Sequence, residues 1–140
     1  MRLNKSPQNF TLDSNRFPAI IQTLMKKAAL VIGLPNTGKS TTIREFRKLV
    51  ETRGLHVFVI DGKLGFTWLT SFEEYDREVE PTIEDHIDCD FLLFACQGPK
   101  LPEVHKALKA ASFEFKDCHV KHYSEAPSLA QEILKFFKSK

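Results

Sequence analysis

The sequence predicts an α/β protein in three layers: a short, mainly parallel sheet of about four to five strands with helices on both faces. Three observations predict it. Apolar runs of strand length at 28–32, 55–60 and 91–96 are what strands buried on both faces require. Stretches with apolar residues at helical spacing lie between them, and that alternation gives parallel pairing through right-handed crossovers. At 140 residues the chain is also the size of one domain, able to bury about two-thirds of its unfolded surface.

Residues 1–13 are polar and aperiodic and are expected to form a flexible N-terminal arm, leaving 14–140 as a single domain. Phe17, Ile20, Ile21 and Leu24 recur at the spacing of a one-sided helix, with Pro18 in its first turn. The run Ala28 to Ile32 predicts a central strand that ends at a glycine. From Gly38 to Arg53 the pattern is helical, with Ile43, Phe46, Leu49 and Val50 on one face and Gly54 as its cap. Leu55 to Ile60 predicts a second buried strand. Lys63 to Phe72 is apolar and aromatic but aperiodic, and reads as a loop. Phe91 to Cys96 is a third strand, Pro102 to Ala111 a helix with Val104, Leu108 and Ala111 inward, and Cys118 to Tyr123 a weaker fourth strand. Ser128 to Phe137 closes the chain with a helix bearing Leu129, Ile133 and Phe136.

Hydrophobic residues at 42% and charged residues at 27% are ordinary for a globular chain and exclude disorder and low complexity. The longest apolar run, Ala28 to Leu34, is far short of the ~20 residues that cross a bilayer, and the N-terminus lacks the apolar stretch of a signal peptide. No membrane span and a cytoplasmic location are expected. The three cysteines, Cys89, Cys96 and Cys118, form no C-x-x-C pair, which agrees with a reducing compartment. His119 and His122 follow Cys118 closely, but alternation along a strand sends neighbouring side chains to opposite faces, so they read as surface histidines rather than metal ligands.

The net charge of +2 is unevenly spread. Between Glu73 and Asp90 stand nine acids and one arginine, Arg77, so the rest of the chain carries an excess of ten positive charges. A basic surface of this kind fits a nucleic acid or another anionic partner, and the acidic segment 73–90 fits a protein-docking site. Both also fit plain solvated surfaces.

One motif carries chemistry. Gly33-Leu34-Pro35-Asn36-Thr37-Gly38-Lys39-Ser40 is a complete G-x-x-x-x-G-K-S/T sequence, placed between a predicted strand and a predicted helix. A phosphate-binding turn must leave a strand, wrap phosphates in backbone N–H groups and enter a helix by its positive end, and this segment supplies all three. Gly33 and Gly38 permit positive φ and close approach. Lys39 is expected to reach the β- and γ-phosphates, Ser40 to bind Mg²⁺ and Thr41 to steady the α-phosphate side. Pro35 has no N–H, so the donors come from its neighbours. Asp61, at the end of the second predicted strand, is expected to hold a Mg²⁺-bound water or accept a proton, or else to be part of a surface Asp-Gly turn.

Residues 28–61 resemble the P-loop nucleoside triphosphatase and kinase superfamily, which implies a P-loop fold, nucleotide and Mg²⁺ as cofactors, Lys39 and Asp61 as catalytic residues, and residues 33–41 as the nucleotide cradle. Within that superfamily, three segments resemble the ParA/MinD-type partition ATPases. They are His56 to Gly65, similar to that family's strand ending in an aspartate motif; Cys89 to Pro99, similar to its Walker B strand; and Val120 to Ser128, similar to its late S-E-A-P-S segment. The chain departs from that family at Leu34, where an additional lysine stands, at Ala95, the Walker B aspartate position, and at Lys63 in the aspartate motif. It is also shorter. The resemblance implies an ATP-dependent switch or slow ATPase.

A strand ending Ile60-Asp61-Gly62 also resembles small kinases, in which the aspartate serves an acceptor hydroxyl, although Arg77 is the only arginine after Arg53 to serve as a lid. A degenerate, non-hydrolysing module is the third reading. No N-K-x-D sequence is present, so ATP is expected rather than GTP.

Overall fold

A computed structural model of the chain describes residues 26–139. The expected arm and the helix read at Phe17 to Leu24 lie outside the described residues. The elements are β1 (Lys26–Ile32), α1 (Lys39–Arg47), β2 (Glu51–Arg53), β3 (Val57–Ile60), β4 (Lys63–Ser71), α2 (Val79–Asp85), β5 (Phe91–Cys96), α3 (Leu101–Ala110), β6 (Phe113–His119), a 3-10 turn (Tyr123–Glu125) and α4 (Ala126–Lys138). The strands form one mixed sheet of six in the order β2-β3-β4-β5-β1-β6, larger than expected. The strands β4, β5, β1 and β6 run parallel, whereas β3 is antiparallel to both its neighbours.

The apolar runs of β1 and β5 are explained by helices on both faces of the sheet. Successive side chains of a strand point to opposite sides. Ala29, Val31, Leu93 and Ala95 join a core with Ile43 and Phe46 of α1 and Ala130, Ile133 and Phe137 of α4. Ala28, Leu30, Leu92 and Phe94 join another with Val79 and Ile83 of α2 and Val104 and Leu108 of α3. Aromatic rings close the first core: Phe58 lies 5.0 Å edge-on from Phe46 and 5.9 Å from Phe137, and Phe91 lies 4.9 Å from Phe137.

The structure corrects the sequence reading at its antiparallel edge. Helix α1 stops at Arg47, and residues 51–53 leave it to pair with β3. Gly54, at φ 81°, therefore turns a hairpin instead of capping a helix, and Leu49 is exposed. The segment read as a loop at Lys63 to Phe72 is β4, the longest strand. Its row of Gly65, Thr67 and Ser71 is buried yet small or polar, which hides the alternation. Gly65 pairs with Phe58, and a Cβ on Gly65 would lie 2.2 Å from the Phe58 ring, so the aromatic side chain fills the space that a residue at 65 would otherwise occupy. Strand β6 starts at Phe113, earlier than expected. Val79 and Ile83 anchor the acidic segment as α2. Among the described residues no helix is long and apolar enough to cross a membrane.

Candidate functional site

The site begins where β1 ends. The Gly33 N–H donates to Cys96 O at 3.1 Å and the Val120 N–H to Ile32 O at 2.8 Å, so the C-terminal ends of β5, β1 and β6 meet. The Phe72 N–H, donating to Ala95 O at 3.2 Å, brings the end of β4 to the same edge. From here α1 covers one face and α3 the other. Loops that leave adjacent parallel strands toward opposite faces open a crevice between them, and open α/β sheets bind ligands there. A cleft of about 320 Å³ lies at this position, lined by residues that include Gly38, Lys39, Ser40, Thr70, Glu74 and Gln97.

The turn 33–40 is fixed by its two glycines for different reasons. Gly38 has φ 112°, and a Cβ there would meet Tyr123 Cα at 2.6 Å. Gly33 is held by crowding, since a Cβ would meet Thr37 Oγ1 at 2.6 Å and Val120 O at 2.7 Å. Asn36 takes the left-handed conformation at φ 63°. Gly38 is the N-cap of α1 without a side-chain cap, and Thr42 Oγ1 donates to Gly38 O at 2.8 Å. Among the described residues no acceptor meets the N–H groups of Gly38, Lys39, Ser40 or Thr41, whereas the turn at Pro35 and Asn36 directs the Thr37 N–H back toward Leu34 O. The start of a nine-residue helix therefore presents a run of donors and the positive end of its dipole.

Lys39 is buried, and its Nζ donates to Leu34 O at 2.7 Å, a carbonyl that also accepts from Thr37 Oγ1 at 2.7 Å. Burial lowers the Lys39 pKa, and Glu74 and then Glu73 oppose that shift. Ser40 Oγ stands 3.5 Å from Arg44 Nη1. An anion with several oxygens fits this donor set, with Lys39 turned from Leu34 onto it. The Ser40 hydroxyl fits one ligand position of Mg²⁺. Among the described residues no group of three His, Cys, Asp or Glu side chains stands ready to hold a metal by itself.

Gly33 to Thr41 and the late segment Val120 to Ser128 thus come together at one place. Asp61 does not join them. Asp61 and Gly62 have φ 51° and 79° between the paired residues Ile60 and Lys63, the geometry of a two-residue type I′ hairpin turn. Strand β4 runs from Lys63 to Ser71 with an irregularity between Thr67 and Ser71, where four of its residues span two of β5, so its two ends lie about 20 Å apart. Asp61 is exposed beside Lys63, at the end of the sheet away from Lys39 and Ser40. The expectation that it shares Mg²⁺ with Ser40 or acts beside Lys39 is corrected by the antiparallel direction of β3. Ala95 is buried on β5, and the strand beside β1 ends without a carboxylate.

The acids of this edge come from the turn after β4, inside the segment 73–90 that the sequence alone reads as a docking or solvated surface. Glu73 Oε1 accepts the Gln97 N–H at 2.8 Å, and Oε2 accepts those of Gly98 at 3.2 Å and Lys100 at 3.0 Å, with the Cys96 thiol at 3.3 Å. Burial pushes the Glu73 carboxyl up, but hydrogen bonds from backbone N–H groups, those of Gln97 and Lys100 foremost, outweigh it and hold the group below its usual range. The Cys96 thiol is pushed up to about 12, chiefly by burial, and is no nucleophile at neutral pH. Glu74 Oε1 accepts the Ser71 N–H at 2.9 Å, while the Glu74 N–H donates to Ser71 Oγ at 3.3 Å. Ser71-Phe72-Glu73-Glu74 is the S-x-x-E pattern of a reciprocal cap, the one sequence signal that could have drawn attention to these residues. Comparison of the chain with protein-family models, curated proteins and solved structures gave no match.

Proposed function

We propose that this chain is a P-loop nucleotide-binding protein that takes the polyphosphate of a nucleoside triphosphate, ATP by preference, in the turn 33–41. The observation that carries the reading is the row of unpaired N–H groups from Gly38 to Thr41 beside the Lys39 ammonium, at the crevice between β1 and β5. Lys39 would hold the β- and γ-phosphates, the N–H groups would cradle their oxygens, and Ser40 would ligate Mg²⁺. When bound, Mg²⁺ neutralises charge developing on the phosphoryl oxygens.

A switch or slow ATPase is favoured over a small kinase. The kinase reading gives Asp61 the part of base toward the acceptor, and Asp61 lies at the far end of β4. The apolar end of β5 supplies no acid at the position beside β1, which favours a switch or a slow ATPase. The ParA/MinD resemblance supports the same class through its late segment, because Tyr123 packs on Gly38. It loses the aspartate motif, whose strand runs antiparallel.

Calorimetric titration with Mg·ATP and Mg·GTP, with phosphate release followed in the presence and absence of DNA, tests the reading. Saturable binding to the wild-type chain is expected. In Lys39→Ala the affinity should fall by about 1.5–3 kcal/mol, tenfold to more than a hundredfold, for loss of one charge-assisted phosphate contact. Absence of heat with either nucleotide overturns the proposal.

A further inference from the structure

The polyphosphate reading leaves the cation short of an oxygen ligand. Mg²⁺ at a nucleotide takes one or two carboxylates besides phosphate and water oxygens. Neither β5 nor Asp61 supplies one, for the reasons of topology given above. Two carboxylates stand near Lys39, and their surroundings divide them. Glu73 is consumed: both its oxygens accept backbone N–H groups of the 97–100 loop. Glu74 lines the cleft with Lys39 and Ser40. Its Oε1 is fixed by the Ser71 N–H at 2.9 Å, and the Ser71 hydroxyl is in turn fixed by the Gln97 amide at 3.2 Å, so the carboxylate is oriented from behind. Among the described residues no donor meets Oε2.

Resting on the nucleotide reading, we infer that Glu74 is the carboxylate that holds the divalent cation of this site, directly or through one of its waters, in the cleft that it lines together with Ser40. The role leaves a signature that a merely structural residue does not. Without a cation, Glu74 faces the polyphosphate as a like charge and opposes binding. With the cation between them, the same carboxylate favours it.

The test titrates the full chain with ATP in EDTA and again in excess Mg²⁺, for wild type, Glu74→Gln and Glu73→Gln, and counts bound Mn²⁺ by electron paramagnetic resonance in the presence of ATP. In wild type Mg²⁺ should strengthen ATP binding. In Glu74→Gln that gain should shrink about tenfold while affinity in EDTA is equal or higher, and the nucleotide-dependent Mn²⁺ signal should weaken in step. Glu73→Gln should keep the gain. An equal Mg²⁺ gain in wild type and Glu74→Gln overturns the inference. So does a Glu74→Gln affinity that falls by the same factor in EDTA and in Mg²⁺, or a wild type indifferent to Mg²⁺. A wild type that binds ATP in neither condition overturns the nucleotide site itself, and the inference with it.

Discussion

Two turns of this molecule look alike in sequence and lie in different surroundings. The turn after β1 and the turn after β3 each follow a buried apolar strand, contain glycine and carry a charged residue, Lys39 in one and Asp61 in the other. The first faces a crevice lined by Thr70, Glu74 and Gln97. The second is an exposed hairpin tip. Direction separates them: β1 runs parallel to β5 and β6, so its end meets the loops that leave those strands, whereas β3 runs against both its neighbours, so its end meets the starts of β4 and β2. A charged residue after a strand becomes part of a site only when neighbouring strands end at the same edge.

Substitutions can break or sharpen that contrast. The largest effect is expected at the ring that ties the antiparallel edge to the parallel core. Phe58→Ala removes the edge-on contact with Phe46 and uncovers Gly65, and should cost about 3–5 kcal/mol in urea denaturation. If the two regions are separate in function, the folded fraction of this variant will bind ATP as wild type does.

Next comes Glu73→Ala, which strands the N–H groups of Gln97, Gly98 and Lys100 and should cost about 2 kcal/mol, this carboxylate being only partly buried. Its pH dependence has a definite sign. The folded-state pKa lies below the ordinary value of 4.5, so the stabilisation is complete above that value and is lost as pH falls through the folded pKa. Melting curves taken at decreasing pH should show wild type losing its advantage over Glu73→Ala below pH 4.5.

The smallest effect is expected at the other turn. Asn adopts the positive φ of Asp61 readily, so Asp61→Asn should change stability by less than about 0.5 kcal/mol and leave ATP affinity and phosphate release untouched. Reduced nucleotide turnover in that variant would erase the contrast between the turns.

Legibility in the sequence followed the same division. The strands β1 and β5 were readable because burial on both faces leaves an unbroken apolar run, and the turn 33–40 because its glycines and lysine stand at fixed spacing. Strand β4 was unreadable because Gly65, Thr67 and Ser71 occupy its buried row, a choice that makes sense only once Phe58 is seen lying over Gly65. The sequence pattern carries helix α1 too far because Leu49 and Val50 continue its period, while the pairing of Thr52 with Phe58 takes the chain into a hairpin. Glu73 and Glu74 were hidden among the nine acids of their segment, with only the Ser71 spacing to mark them.

By itself the sequence determined the layered α/β class, the buried central strands and the glycine and lysine spacing of the turn that precedes Lys39. Those properties depend on local pattern, on glycine sterics and on residues a few positions apart. Only the tertiary structure decided which strands lie side by side and in which direction. Strand pairing is a contract between distant segments, fixed by how rings and small residues interlock across the sheet, and it moved Asp61 away from Lys39 and brought Glu74 to face it.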